Sequence, residues 1–174
     1  MKHEAERDAE RVTESLGVDT GRERIVTLLT GATVTRDAVD QALSTVARRV
    51  RRVDSVVLYI STHGTLALTE GGLVEPVFVL RATRSEDPAR DGLPEATLRR
   101  WMDRLPAARK LLILAACHSG LGKSRLTPRV QELLTGAKGR LAPLADVSEG
   151  ALILAAAARG ETAREDDKLK GDVY

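Results

Sequence analysis

The sequence predicts an α/β chain, a three-layer sandwich whose mostly parallel sheet is flanked by helices on both faces. Strand-like apolar runs alternate with amphipathic helical stretches along the chain, the order from which such sandwiches are built. The strongest apolar runs, "SVVLYIST" (Ser55 to Thr62) and "LLILAA" (Leu111 to Ala116), lack the period-two alternation of a half-exposed strand. The first of them therefore predicts burial on both faces, as in a parallel sheet. The 174 residues are 43% hydrophobic and 30% charged, which suits a globular domain with one sizeable core. No repeat or linker divides them, so residues 1–174 are expected to form a single domain.

Each element has its own warrant. Glu4 to Leu16 carries Ala5, Ala9, Val12 and Leu16 at helical spacing, with Gly17 as its stop. "RIVTLL" (Arg24 to Leu29) is β-prone and closes at a turn around Thr30 and Gly31, predicting a short strand. Thr35 is a fitting N-cap for a helix with Val39, Ala42, Leu43, Val46 and Val50 along one stripe. Ser55 to Thr62 is the first strong strand and runs straight into His63-Gly64. "TLALTEGGLVEPVFVL" (Thr65 to Leu80) places two β-prone runs around Gly71-Gly72, predicting a hairpin. A polar loop follows over Arg81 to Gly92. Pro94 then opens a helix with an inner face of Leu98, Trp101, Met102 and Leu105, and Pro106 ends it. After the strand Leu111 to Ala116, a helix is expected over Pro128 to Leu134 and a last strand over Gly150 to Ala157. "RGETAREDDKLKGDVY" offers no obvious core element.

Composition excludes several function classes. Aromatic residues are 2%, and the formal net charge is +2. Charges of both signs are spread through the chain, so no nucleic-acid-binding stripe emerges. The one dense basic cluster, "ARRVRR" (Ala47 to Arg52), is expected to be the solvated end of a helix. No apolar run approaches the roughly 18 residues that span a bilayer. The charged opening "MKHEAERDAERV" is expected to be a helix rather than a signal peptide. With a single cysteine no internal disulfide can form, which fits a cytoplasmic setting.

The chemistry concentrates in "KLLILAACHSGLGKSRL" (Lys110 to Leu126). Read as a phosphate loop, it needs a glycine five residues before Gly122, and that residue is Cys117. The loop must also pass into a helix, but Leu126-Thr127-Pro128 interrupts one within a turn of Ser124. No later strand ends in an aspartate that could hold magnesium. Lys123 and Ser124 are more simply loop residues. Read as a nucleophile site, the stretch presents Cys117 at the carboxyl end of a strand, where ligands and catalytic groups gather in such sheets. A thiol attacks as thiolate and needs a base within hydrogen-bond reach. His3 lies in the terminal helix, and His118 would point away from its neighbour Cys117. His63 remains, 54 residues before Cys117 and at the end of the other strong strand. Taken singly, a buried cysteine is usually a small apolar core residue and a histidine a satisfied polar group. Two strand ends at this spacing favour catalysis.

With those flanks, "VVLYISTHG" followed by "LLILAACHSG" resembles the catalytic pair of the caspase–metacaspase clan of cysteine peptidases, on its bacterial and metacaspase-like side. "AERDAERVTESLG" is similar to that clan's first helix. "ILAAAARGETAREDD" resembles the strand and Glu-x-Ala-x-Glu segment beyond its cysteine. The resemblance implies a caspase-like fold and a Cys117–His63 dyad that hydrolyses peptide bonds through a thioester. It also implies an oxyanion hole made from the backbone N–H groups of Gly64 and Cys117. A glycine beside the base lets a substrate carbonyl approach its amide. A catalytically inactive module with the same fold, serving interaction or regulation, is the alternative.

The sequence also departs from the pattern. Where metacaspases carry an acidic residue for Arg or Lys substrates, and caspases a glutamine, this chain has Ala115. Substrate-facing charge would then fall to Glu161, with Glu165, Asp166 and Asp167 beside it, unless these form a solvated acidic turn. The expected partner is a protein or peptide substrate, not a nucleic acid or a membrane. The resemblance further implies a strand before the first helix and a helix and strand after "GDVY". These would come from a longer chain or from a companion segment or subunit. No cofactor and no metal are expected. Calcium, which some metacaspases need, would find only Glu86, Asp87 and Asp91 as acidic candidates in one loop.

Overall fold

The computed structural model describes residues 4–16, 24–68, 74–84, 87–116, 151–155, 164–166 and 171–173. Helix α1 (Glu4–Ser15) leads to an irregular stretch and a 3₁₀ turn at Gly31–Thr33, where Gly31 takes a left-handed φ of 60°. Helix α2 (Arg36–Arg49) starts as expected, with the Thr35 hydroxyl accepting from the Ala38 N–H at 3.2 Å. Strand β1 (Ser55–Ser61) is followed by β2 (Gly64–Leu68) and β3 (Val74–Phe78). The chain continues through the short helix α3 (Pro88–Asp91), β4 (Leu93–Pro94), helix α4 (Glu95–Arg104) and β5 (Arg109–Ala115). Among the described residues β6 (Ala151–Ala155), β7 (Arg164–Asp166) and β8 (Gly171–Val173) complete the order.

One three-stranded sheet is parallel, in the order β1–β5–β6. Its register pairs Val56 with Lys110, Leu58 with Leu112, Ile60 with Leu114 and Ser61 with Ala115. Side chains alternate between the faces of a strand, so Leu112 and Leu114 share one face with Val56, Leu58 and Ile60. That face packs on Leu98, Met102 and Leu105 of the α4 region and on Val39, Val46 and Ala47 of α2. Phe78, Leu80 and Leu93 close the same cluster. α1 lies against β1 and contributes nothing to this cluster. A mixed α/β chain with a helix-flanked parallel sheet is thus the observed class.

Several local expectations need correction. Arg24 to Leu29 forms no strand: Ile25, Val26 and Leu28 are exposed and enter no ladder. β-propensity without a partner edge does not make a strand. β1 is not buried on both faces. Among the described residues it pairs only with β5, and Val57 on its other face is exposed. The expected hairpin forms as β2 and β3, but β4 joins it in a separate antiparallel sheet. The loop over Arg81 to Gly92 contains the single turn of α3, which Asp87 caps by accepting from the Arg90 N–H. β7 and β8 form a small antiparallel pair where no element was expected. The helix expected over Pro128 to Leu134 lies outside the described residues.

Candidate active site

The parallel sheet and the antiparallel sheet meet at one short corner. β1 ends at Ser61 and β2 begins at Gly64, so only Thr62 and His63 connect them. The corner is tied on both sides. The Thr62 N–H donates to the Ala115 carbonyl at 3.2 Å, which carries the β1–β5 pairing one residue past the strands. The Thr62 hydroxyl donates to the Val79 carbonyl at 2.5 Å. The Val79 N–H in turn donates to the His63 carbonyl at 2.8 Å, extending the β2–β3 ladder backward. Beyond Val79, the Leu80 N–H donates to the Thr83 hydroxyl at 2.8 Å.

His63 is exposed at this corner, while Gly64 behind it is buried. The bond from Val79 to His63 makes those two a hydrogen-bonded pair, so the next pair, Gly64 with Phe78, is a non-hydrogen-bonded one. The Gly64 N–H therefore points away from β3, toward the open side of β2, which is an edge strand. An N–H that the ladder does not consume can serve another acceptor. Ala115 closes β5 opposite Ser61 and is 4% exposed.

The sequence-derived site residues divide accordingly. His63, Gly64 and Ala115 converge at one end of the parallel sheet through Thr62. Cys117, with His118 to Gly120, Lys123, Ser124, Glu161 and Asp167, lies outside the described residues. Glu165 and Asp166 are on β7, opposite Asp172 and Gly171 of β8. For the calcium candidates, Glu86 lies outside the described residues and Asp87 is the α3 cap. Asp91 accepts from the Arg84 guanidinium at 2.6 Å, and that bond holds its carboxyl below the usual carboxylate range. Among the described residues no group of three or more His, Cys, Asp or Glu could hold a metal ion. None of their helices is long and apolar enough to cross a membrane. Thr62 and the Val79 backbone are the parts that sequence reasoning missed. A hydroxyl just before the histidine was visible, but its carbonyl partner seventeen residues on was not.

A family model described as the CHAT domain matches residues 2–153, which include both strand ends. The chain belongs to the CHAT domain family. The CHAT domain is a caspase-like, peptidase-related domain, so the caspase-like fold expected from the two motifs is the fold of its family. A solved structure, that of protein GSU0716 from Geobacter sulfurreducens, superposes with a TM-score of 0.63 at 20% identity. The match covers 94% of this CHAT domain chain and 66% of that protein, and at this identity the likeness shows fold alone. No curated protein matches the chain.

Proposed function

We propose that this CHAT domain is a cysteine endopeptidase of the caspase-like type, with Cys117 as nucleophile and His63 as base. One observation supports the reading above others. β1 and β5 pair with a constant offset of 54 positions, Ser61 to Ala115 and Val56 to Lys110. The separation of His63 from Cys117 is also 54. Parallel neighbours lie about 4.8 Å apart, so a thiol delivered by the continuation of β5 would meet the imidazole at the corner.

The chemistry then follows from roles. His63 takes the thiol proton, and the Cys117 sulfur attacks the scissile carbonyl carbon. The resulting oxyanion is held by the N–H groups of Gly64 and Cys117, each such donor contributing roughly 3 kcal/mol in the transition state. His63 gives its proton to the leaving amine, and a thioester remains. Water, deprotonated by the same imidazole, hydrolyses the thioester and restores the thiol. Substrate preference is not set by an acidic residue at position 115, because that side chain is a buried methyl. Glu161 and the acidic residues after it are the candidates for that role. No metal or cofactor takes part in these steps.

An electrophilic peptide probe tests the assignment. Labelling should occur in the wild-type chain and disappear in both Cys117→Ala and His63→Ala. Labelling that persists in Cys117→Ala refutes it. The buried Ala115 favours a second reading, a non-catalytic module. That reading would stand if Cys117 reacted no faster than a free peptide thiol.

A further inference from the structure

The corner that carries His63 holds a group to which the proposed chemistry gives no role. Thr62 offers its N–H to Ala115 at the end of β5 and its hydroxyl to Val79 at the end of β3. It thus bonds to both sheets at once. We infer that Thr62 is a positioning residue that fixes the His63 imidazole over the end of β5; this rests on the proposed Cys117–His63 dyad.

The geometry carries it in three steps. A β-strand's residues project alternately, so a small rotation of the Thr62 peptide swings the His63 side chain relative to the sheet. The β1–β5 ladder fixes the Thr62 N–H, and the Val79 N–H fixes the His63 carbonyl. Rotation between those two points is opposed by the hydroxyl bond, which is partly buried and short at 2.5 Å. Side-chain packing and β-propensity alone would be met by any β-branched residue here. The hydroxyl is the part that ties the last residue before the histidine to the other sheet. Val79 itself is held from behind, since Leu80 donates to Thr83 and the Thr83 hydroxyl lies 3.4 Å from the Asp91 carbonyl.

Cys117 is the only cysteine of the chain, so alkylation by iodoacetamide reports on it alone. The full chain is compared with Thr62→Val, Thr62→Ala, Thr62→Ser and His63→Ala, following the alkylation rate against pH. Circular dichroism records whether each variant folds. Thr62→Val should lower the rate at neutral pH by about tenfold, part of the roughly 10²–10⁴-fold that a positioned base contributes. The pH profile should move toward that of an ordinary thiol, and Thr62→Ser should restore it. Thr62→Ala removes the same hydroxyl without pressing a methyl on the Val79 carbonyl, and should behave like Thr62→Val. A folded Thr62→Val or Thr62→Ala with the wild-type profile overturns the inference and leaves the dyad intact. If both unfold while Thr62→Ser folds, the hydroxyl holds the fold rather than the base, and the inference is again overturned. A wild-type profile that His63→Ala does not change is a separate result, and it removes the dyad and the positioning role together.

Discussion

Leu114 and Leu154 occupy neighbouring strands of one parallel sheet, yet truncation to alanine should affect them very differently. Leu114 is 1% exposed and packs in the cluster with Phe78, Leu98, Met102 and Leu112. Leu154 sits on β6 at 47% exposure. Leu114→Ala removes three carbons from a sealed site. At about 0.8 kcal/mol per carbon the transfer loss is about 2.4 kcal/mol. The cavity left behind raises the total to about 3–5 kcal/mol. Leu154→Ala gives up only about half of that transfer energy and leaves no cavity, since solvent fills the space, so about 1 kcal/mol is expected. Urea unfolding measures both. With a slope of about 2 kcal/mol per molar, the midpoint should fall by about 1.5–2.5 M for Leu114→Ala and by about 0.5 M for Leu154→Ala. Equal midpoints, or a larger loss at Leu154, would refute the assignment of the core to the face bearing Leu58, Ile60, Leu112 and Leu114.

Three further outcomes follow from local contacts. In Gly92→Ala the new methyl would lie 2.5 Å from Val77 Cγ1 and 2.7 Å from the Pro88 carbonyl oxygen. Backbone cannot yield cheaply there, so the variant should lose about 1–3 kcal/mol and a correspondingly lower thermal midpoint. Lys110 is 8% exposed, and its ammonium donates to the Met102 carbonyl at 2.9 Å near the end of α4. Lys110→Met keeps the stem but loses a charged donor worth about 1.5–3 kcal/mol, and the midpoint should drop by about 5–10 °C. For Glu75, burial and then the nearby Glu95 push the carboxyl above its usual range. The native state therefore holds its proton longer than the unfolded chain, and stability falls as pH rises from the ordinary carboxylate value to the raised one. Glu75→Gln should gain stability over wild type at neutral pH and lose that advantage at acid pH, which thermal melts at both conditions would show.

Elements with a local cause were legible in the sequence. Thr35 caps α2 because its hydroxyl reaches the first orphan N–H groups, and Pro94 sits just before α4 because it needs no donor there. The hairpin of β2 and β3 was legible from its composition, but its union with Leu93-Pro94 depends on a contact that no local pattern encodes. Lys110 misled the boundary of β5: a charge reads as a strand end, yet the residue is buried and its tip reaches a helix end. Trp101 was expected to face inward. Instead its ring is half-buried, with its N–H on Asp40 of α2 at 2.8 Å and the Arg104 guanidinium 5.6 Å from its centre. At the candidate site, the end of β1 just before His63 was legible from its apolar run. The bond from Thr62 to Val79 was not, since its acceptor is a backbone carbonyl without sequence signature.

The corner at Thr62 and His63 also limits where motion can enter the proposed chemistry. Two residues between hydrogen-bonded strands leave almost no slack, and the Thr62 N–H and the His63 carbonyl are both bonded to other segments of the chain. A histidine held in this way does not need a loop closure to reach its place, unlike a base carried on a flexible lid. It also cannot follow a displaced partner far. In the proposed chemistry, delivery of the Cys117 thiol would therefore depend on the β5 side, where Leu112, Leu114 and Ala116 anchor the strand in the core up to the residue before the cysteine. Core packing and the proposed catalysis would be coupled there, because the contacts that stabilise the sheet also keep the 54-residue register on which the proposed pairing of thiol and imidazole rests.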